Sequence, residues 1–334
     1  MTNSRSTGCI RLYNVSLRSY DAKRAAIIYN PVARGLSRHL HVLPRSIEAL
    51  SRAGLEVRAI ATTAPGSATG QTRREIAAGC DLIVAAGGDG TINEVANGML
   101  HSRVPLAILP AGTANVLARE MRIPIHLERA AAQIPNLEPC RIAVGGVRIN
   151  GSGERCFLCM AGAGLDAKIV ADVHPGFKAR AGKFAYYAAG FGHVFRPLRE
   201  FDVVADGKRF AASFALISRV RNYGGDLEIA RGASLLRDEF EVVLFRGRQS
   251  VRYLRYFLGV SLGRVTGMSG CTVLRAQSVA CEAPAEEQIF VQLDGELAGS
   301  LPLSARILPD AITLLAPAAY LASERAHVEV AACA

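Results

Sequence analysis

The chain has 334 residues, half of them apolar and a fifth charged, which excludes a disordered or fibrous protein and allows two domains or one large one. Its formal net charge of +10 favours an anionic partner: nucleic acid, a membrane surface or a phosphorylated substrate. No uncharged apolar run reaches the roughly 18 residues a spanning helix needs, and the first twenty residues carry scattered arginines without an apolar segment, so a cytoplasmic protein is expected.

Residues 1–22 read as an N-terminal extension. From there the pattern is strand, loop, helix, repeated. "AAIIYN" (25–30) is an apolar run stopped by Pro31. "LSRHLHVLPRSIEALSRAG" (36–54) has helical spacing and closes at Gly54, where a C-terminal cap is expected. "LEVRAIAT" (55–62) is a second strand and Ser67 to Gly79 a second helix. "DLIVAAG" (81–87) has no polar face, so it is buried on both sides, as in a parallel sheet. A helix over 91–100, a fourth strand "PLAILP" (105–110) and a helix over 113–121 follow. Strands alternating with helices imply a doubly wound, mostly parallel α/β domain, placed at 23–136.

The period changes near Pro135. Short alternating runs then predominate, as in "CRIAVGGVRI", "RCFLCMAG", "EFEVVLF" and "QIFVQLDGEL", with hairpin turns expected at Asp206-Gly207 and Gly145-Gly146. Helical intervals are expected at 177–195 and 249–260. A second, β-rich domain of antiparallel sandwich type is placed at 137–316, and the tail 317–334 is left unassigned. The eight cysteines (9, 80, 140, 156, 159, 271, 281 and 333) lack a framework spacing and read as reduced core residues. Cys156 and Cys159 form a CxxC, but "CFLCM" reads as strand interior, where residues three apart face opposite ways, and no second ligand pair follows.

In a parallel α/β sheet ligands meet the carboxyl ends of the strands, and "GGDGT" falls at such an end. Bare backbone N–H groups there, with the helix that follows, can face phosphate oxygens. It is neither a GxxxxGK[ST] loop nor a GxGxxG fingerprint. An acid inside a phosphate cradle makes sense if it meets a metal on the phosphates or accepts a proton from an attacking hydroxyl. The other reading is a glycine-rich turn with Asp89 as helix cap. "NPVARG" (30–35) ends the first strand and "LPAGTANVLARE" (109–120) ends the fourth, so Asn30, Gly35, Gly112, Thr113 and Asn115 should meet Gly88 and Asp89 at one sheet edge, with Thr62 beside them.

As a set, "NPVARG", "GGDGTINEVANG" and "PAGTANVLARE" resemble the diacylglycerol kinase catalytic domain family, which includes bacterial lipid kinases and, more distantly, sphingosine and ceramide kinases. "FLCMAGAGLDAKIV", "RVRNYGGDLEIARGASL" and "VQLDGEL" extend the similarity over residues 24 to 316. The resemblance implies an NAD-kinase/diacylglycerol-kinase-like fold and ATP-dependent phosphoryl transfer, with Mg2+, to a lipid hydroxyl such as that of diacylglycerol in the interdomain cleft. Carried over by position, Asn30, Pro31, Gly35, Thr62, Gly87, Gly88, Asp89, Gly90, Thr91, Asn93 and Thr113 would bind the nucleotide. The segment matching "DGE" offers Asp294 and Glu296 as catalytic acids, Glu296 first, with Asp89 as the alternative base.

Bacterial members often carry an acidic pair followed by glycine that binds a structural magnesium. Here "SLLRDEF" puts Arg237 at the pair's second aspartate and Asp238 at the glycine, leaving Asp238 as the candidate ligand. The stretch 246–264, with five arginines and no acid, reads first as a solvated face over a core stripe and otherwise as fitting an anionic bilayer surface at the inner face of a membrane. No nucleic-acid-binding signature is present. Two alternatives remain: an NAD kinase-like enzyme, which shares the glycine loop, and a nucleotide-binding regulator without turnover.

Overall fold

The computed structural model of the chain describes residues 22–37, 41–165, 167, 168, 198–224, 227–249, 255, 256, 259, 267–284 and 287–333. The expected helix 177–195 and most of 249–260 lie outside the described residues, as does the N-terminal extension but for Ala22.

The first half is built as its apolar runs require. Strands β1 (Arg24–Tyr29), β2 (Glu56–Ala61), β3 (Leu82–Gly87) and β4 (Pro105–Pro110) lie parallel in the order β2-β1-β3-β4. β3 and β4 are buried throughout, which is why neither shows an alternating pattern. Between them run α1 (Arg34–Ser37), α2 (Val42–Arg52), α3 (Ser67–Ala77) and α4 (Asp89–Met99), and after β4 come α5 (Val116–Glu120) and α6 (Leu127–Gln133). α3 packs with α4 and α2 with α6; right-handed crossovers put these two pairs on opposite faces of the sheet.

Two expected helices are shorter than their spacing suggested. The run 36–54 is two helices, because Pro44 cannot donate to a preceding turn and is accommodated only in the first turn of α2. Gly54 still closes α2 with φ +91°. The run 113–121 helps form α5 only from Val116, since Asn115 sits at φ 50° and leaves residues 112–115 as a loop.

The second half comprises β5 (Glu138–Ile149), β6 (Arg155–Phe157), β7 (Met160–Gly164), β8 (Phe201–Ala205), β9 (Lys208–Ala212), β10 (Phe214–Ser218), β11 (Asn222–Tyr223) and β12 (Leu227–Glu228). It continues through β13 (Phe240–Phe245), β14 (Cys271–Ala276), β15 (Ser278–Glu282), β16 (Phe290–Leu293), β17 (Glu296–Ser300) and β18 (Leu303–Ala316) to a last helix, α7 (Ala318–Cys333), which occupies the unassigned tail. One antiparallel sheet runs β14-β13-β10-β7-β16-β17. The first sheet extends past β4 through β18, β15, β8 and β9, with β5 also on β18 and β6 on β5, while β11 and β12 pair by themselves. β18 joins the halves: Thr313 and Leu314 pair parallel with β4, its earlier residues pair antiparallel with β15, and β5 lies antiparallel along it on both sides of a bulge. This bulge, between Leu308 and Ile312, turns it from one half to the other, with Asp310 at φ 50° held by Arg141 Nε at 2.7 Å.

Alternation along β10 divides its side chains. Ala215 and Ile217 face a core shared with Phe157, Val203, Phe240 and Val291 between the two sheets, whereas Phe214 and Leu216 join the core continuous with the first domain. The Asp206-Gly207 turn forms as expected between β8 and β9. Gly145-Gly146, by contrast, lies inside β5: a Cβ on Gly145 would strike the Phe157 ring at 2.2 Å, so the glycines admit neighbours rather than turn the chain. "RCFLCMAG" is likewise two strands, broken at Leu158 and Cys159.

Candidate active site

With the order β2-β1-β3-β4 the chain reverses its winding direction between β1 and β3, and the carboxyl ends of those neighbours open a crevice. The loops that end β1, β3 and β4 are tied together there. Asn30 N–H donates to Ala86 O at 3.0 Å, Ala111 N–H to Gly87 O at 2.8 Å, and Gly35 N–H to Ala111 O at 2.8 Å. A Cβ on Gly112 would lie 2.5 Å from Gly88 Cα, so these two loops touch backbone to backbone. Asn30 Oδ1 accepts the Val32 N–H at 3.0 Å, and Thr62 N–H donates to Tyr29 O at 2.8 Å on the flanking strand. Thus Asn30, Pro31, Gly35, Thr62, Gly87, Gly88, Asp89, Gly90, Thr91, Gly112 and Thr113 stand at one sheet edge.

Within this edge some side chains face inward. Asn115 is buried and closes its own loop, its Oδ1 accepting from Gly112 N–H at 2.8 Å and its Nδ2 donating to Gly112 O at 3.0 Å. Thr91 packs over Gly87. α4 begins at Asp89, two residues earlier than its apolar spacing suggested, so its N-terminus and Gly88 face the crevice directly.

Asn93 points the other way, into the second domain. Its Nδ2 donates to Cys156 O at 2.9 Å and to Asp294 Oδ2 at 2.8 Å. One turn on, Asn97 Oδ1 accepts the Cys156 N–H at 2.8 Å. Asp294 also accepts the N–H groups of Leu158 (2.9 Å), Cys159 (2.8 Å) and Met160 (2.9 Å), which is why the chain breaks between β6 and β7. Both of its oxygens are therefore engaged by protein donors. Asp294 and Gly295, at φ 47° and 84°, form the two-residue turn joining β16 to β17, and Leu293 pairs with Glu296 across it. This turn delivers Glu296, exposed, over the glycine loop: a Cβ on Gly90 would lie 1.9 Å from Glu296 Oε1.

The two aspartates influence each other. Burial, and after it the Asp294 charge, pushes the Asp89 carboxyl up to about 6, although the N–H groups of Leu117 and Val116 favour its charged form. Burial likewise raises Asp294, against the pull of its backbone donors. Asn97, the backbone bend at Leu158–Met160 and the Asp294-Gly295 turn escaped the sequence reading. The signals were present: two amides four apart on one helical face, and an Asp-Gly pair between alternating runs.

The profile of the diacylglycerol kinase catalytic domain matches residues 24–147, and that of the YegS C-terminal NAD kinase beta sandwich-like domain matches residues 159–316. Over 287 residues the chain is 32% identical to the diacylglycerol kinase of Bacillus subtilis, covering 84% of this chain and 92% of that one. The chain belongs to the diacylglycerol kinase catalytic domain family. A diacylglycerol kinase of Staphylococcus aureus (strain MRSA252) is 28% identical over 301 residues, covering 88% of this chain and 93% of its own. A crystal structure of a diacylglycerol kinase from Bacillus anthracis str. Sterne has the same fold, with a TM-score of 0.73 at 24% identity over 90% of this chain and 99% of that one. Family membership supports a lipid kinase.

The family implies two places for Mg2+. At the crevice the residues fit one. Mg2+ on a triphosphate needs only one or two protein carboxylates, and Asp89 and Glu296 both stand at the glycine loop; a cation beside Asp89 would favour the charged form that burial, and after it the Asp294 charge, now disfavours. At the structural position they do not fit one. Asp238 is exposed, and the carbonyl oxygens of Leu235, Arg237 and Glu239 beside it already accept from the guanidinium of Arg219.

Proposed function

We propose that this chain transfers the γ-phosphoryl group of ATP to the hydroxyl of a lipid, diacylglycerol or a close relative, in the crevice between the glycine loops and the β16–β17 turn. The observation that carries this reading is the close approach of the Gly88 and Gly112 backbones while the Glu296 carboxylate lies against Gly90 of the same loop. It puts the Gly88 N–H and the N-terminus of α4 beside an acid capable of taking a proton. In phosphoryl transfer the protein positions the partners and neutralises charge rather than forming bonds itself. The lipid oxygen attacks the γ-phosphorus, the bond to the β-phosphate oxygen breaks, ADP leaves, and the hydroxyl proton passes to the Glu296 carboxylate. Mg2+, when bound with the nucleotide, would supply charge neutralisation at the phosphates. Asp294, its oxygens spent on Asn93 and three N–H groups, acts as a positioning residue that fixes the turn presenting Glu296.

The lipid acceptor would be met at an anionic membrane surface, at the inner face of the membrane in a cytoplasmic protein. The net charge of +10 supports this, together with the exposed side chains of Arg246, Arg248 and Arg255. Among the described residues no helix is long and apolar enough to cross a membrane.

The test is incubation of the purified chain with labelled ATP, Mg2+ and dispersed diacylglycerol, alongside fractionated lipids and NAD. Label in a lipid product supports the reading, and Glu296→Gln should lower that rate by about 10²–10⁴-fold while ATP still binds. Label in NAD alone, or ATP binding with no product in any fraction, contradicts it.

A further inference from the structure

Arg219 follows β10 and is fully buried. Its guanidinium is surrounded by backbone oxygens. Nη1 donates to the carbonyls of Arg237 and of Glu239 (2.7 Å), and Nη2 to those of Ala143 (3.1 Å) and Leu235 (2.9 Å). Leu235, Arg237 and Glu239 are alternate residues of the loop before β13, which wraps around the charge so that three carbonyls converge on it. Asp238 and Glu239 lie near enough to favour the charged form, although burial, the larger influence, brings the guanidinium down to about 10.

Several converging carbonyls with a carboxylate nearby are the oxygen set a hard divalent cation takes. The resemblance matches this segment to the family's acidic pair and glycine, and here Leu236, Arg237 and Asp238 stand in those three places. The Arg237 side chain is turned aside, to Glu239 at 3.0 Å and to the Val328 carbonyl of α7 at 3.2 Å. We propose that the guanidinium of Arg219 is the built-in cation of this loop, held where relatives keep a structural divalent ion, so that the fold needs no structural metal.

The chemistry suits the substitution. A guanidinium is planar, weakly hydrated and offers five N–H donors, so it can meet four carbonyls at a lower desolvation cost than a compact ammonium or Mg2+. The cage also connects to the candidate active site. Arg219 N–H donates to Cys159 O at 2.8 Å, and Cys159 N–H donates to Asp294 at 2.8 Å, so the loop cation and the Glu296-presenting turn share one strand break.

The purified full chain, stripped with EDTA and free of nucleotide, tests this by elemental analysis and thermal unfolding with and without added Mg2+ or Ca2+. We expect far less than one divalent ion per chain and the same Tm with chelator and with metal. About one tightly held ion per chain, or a Tm that falls by several degrees in EDTA and recovers with Mg2+, overturns the proposal. Arg219→Ala gives a second measurement, with Tm as its readout. Its Tm should fall, and millimolar guanidinium or Mg2+ should restore part of the loss by refilling the cage. A Tm equal to that of the parent would show that the carbonyls need no cation, and would overturn the proposal as well.

Discussion

A methyl group on Gly90 would land 1.9 Å from Glu296 Oε1, the far end of a side chain, whereas one on Gly112 would land 2.5 Å from the backbone of Gly88. The consequences separate. Gly90→Ala should push the carboxylate aside and lower kcat by about 10²-fold, because the base's share of the rate is of that order. Its Tm should hold or rise slightly, since alanine inside a helix is favoured over glycine by about 0.5–1 kcal/mol. Gly112→Ala cannot be absorbed by a side chain. It should part the two loops, lower stability by about 2 kcal/mol and raise the KM for ATP by tenfold or more, read by urea unfolding and initial rates. Equal effects of the two substitutions on Tm would contradict this division. The glycines themselves stood out in the sequence. What each admits, a carboxylate or another backbone, comes from a segment more than twenty residues away or, for Gly90, from the second half of the chain.

α7 shows how an element is placed by charge as well as by apolar area. Glu324 is fully buried; it pairs with Arg221 and accepts from Ser234 Oγ at 2.6 Å, while Arg221 also reaches Glu120 of α5 at 3.0 Å. The tail helix is thus bound to the helix that follows the Gly112 loop. Glu324→Ala would leave Arg221 with half its partners, and we expect a loss of about 3 kcal/mol, as for other broken buried pairs, measured by urea unfolding of the full chain. A loss under about 0.5 kcal/mol would place Glu324 among neutral surface positions. None of this was legible in the tail, whose helix has no strong apolar stripe and is fixed by partners 90 and 103 residues away. Strongly patterned elements were legible: the four parallel strands and the helices over 67–79 and 91–100 all form. The single helix expected at 36–54 failed because Pro44 has an effect that apolar spacing alone does not register.

At the scale of the whole molecule, β18 belongs to both halves, and one core runs from the parallel sheet onto one face of the antiparallel one. Although the family profiles divide the chain in two, calorimetry should show one unfolding transition; two resolved transitions would mean the halves are stable apart. The sequence disclosed the halves, because the period of apolar residues changes near Pro135. The shared strand escaped it, since the bulge at Asp310 interrupts the pattern of β18 and its pairing with β4 is long-range. The shared strand and the Asn93–Asp294 bond hold the glycine loops and Glu296 at one opening, and the account rests on a triphosphate lying there. The most direct test is a crystal structure with a non-hydrolysable ATP analogue and Mg2+. Phosphates are expected against the Gly88 N–H and the N-terminus of α4, with the γ-phosphate toward Glu296. A nucleotide bound elsewhere, with the β1/β3 crevice empty, would contradict it.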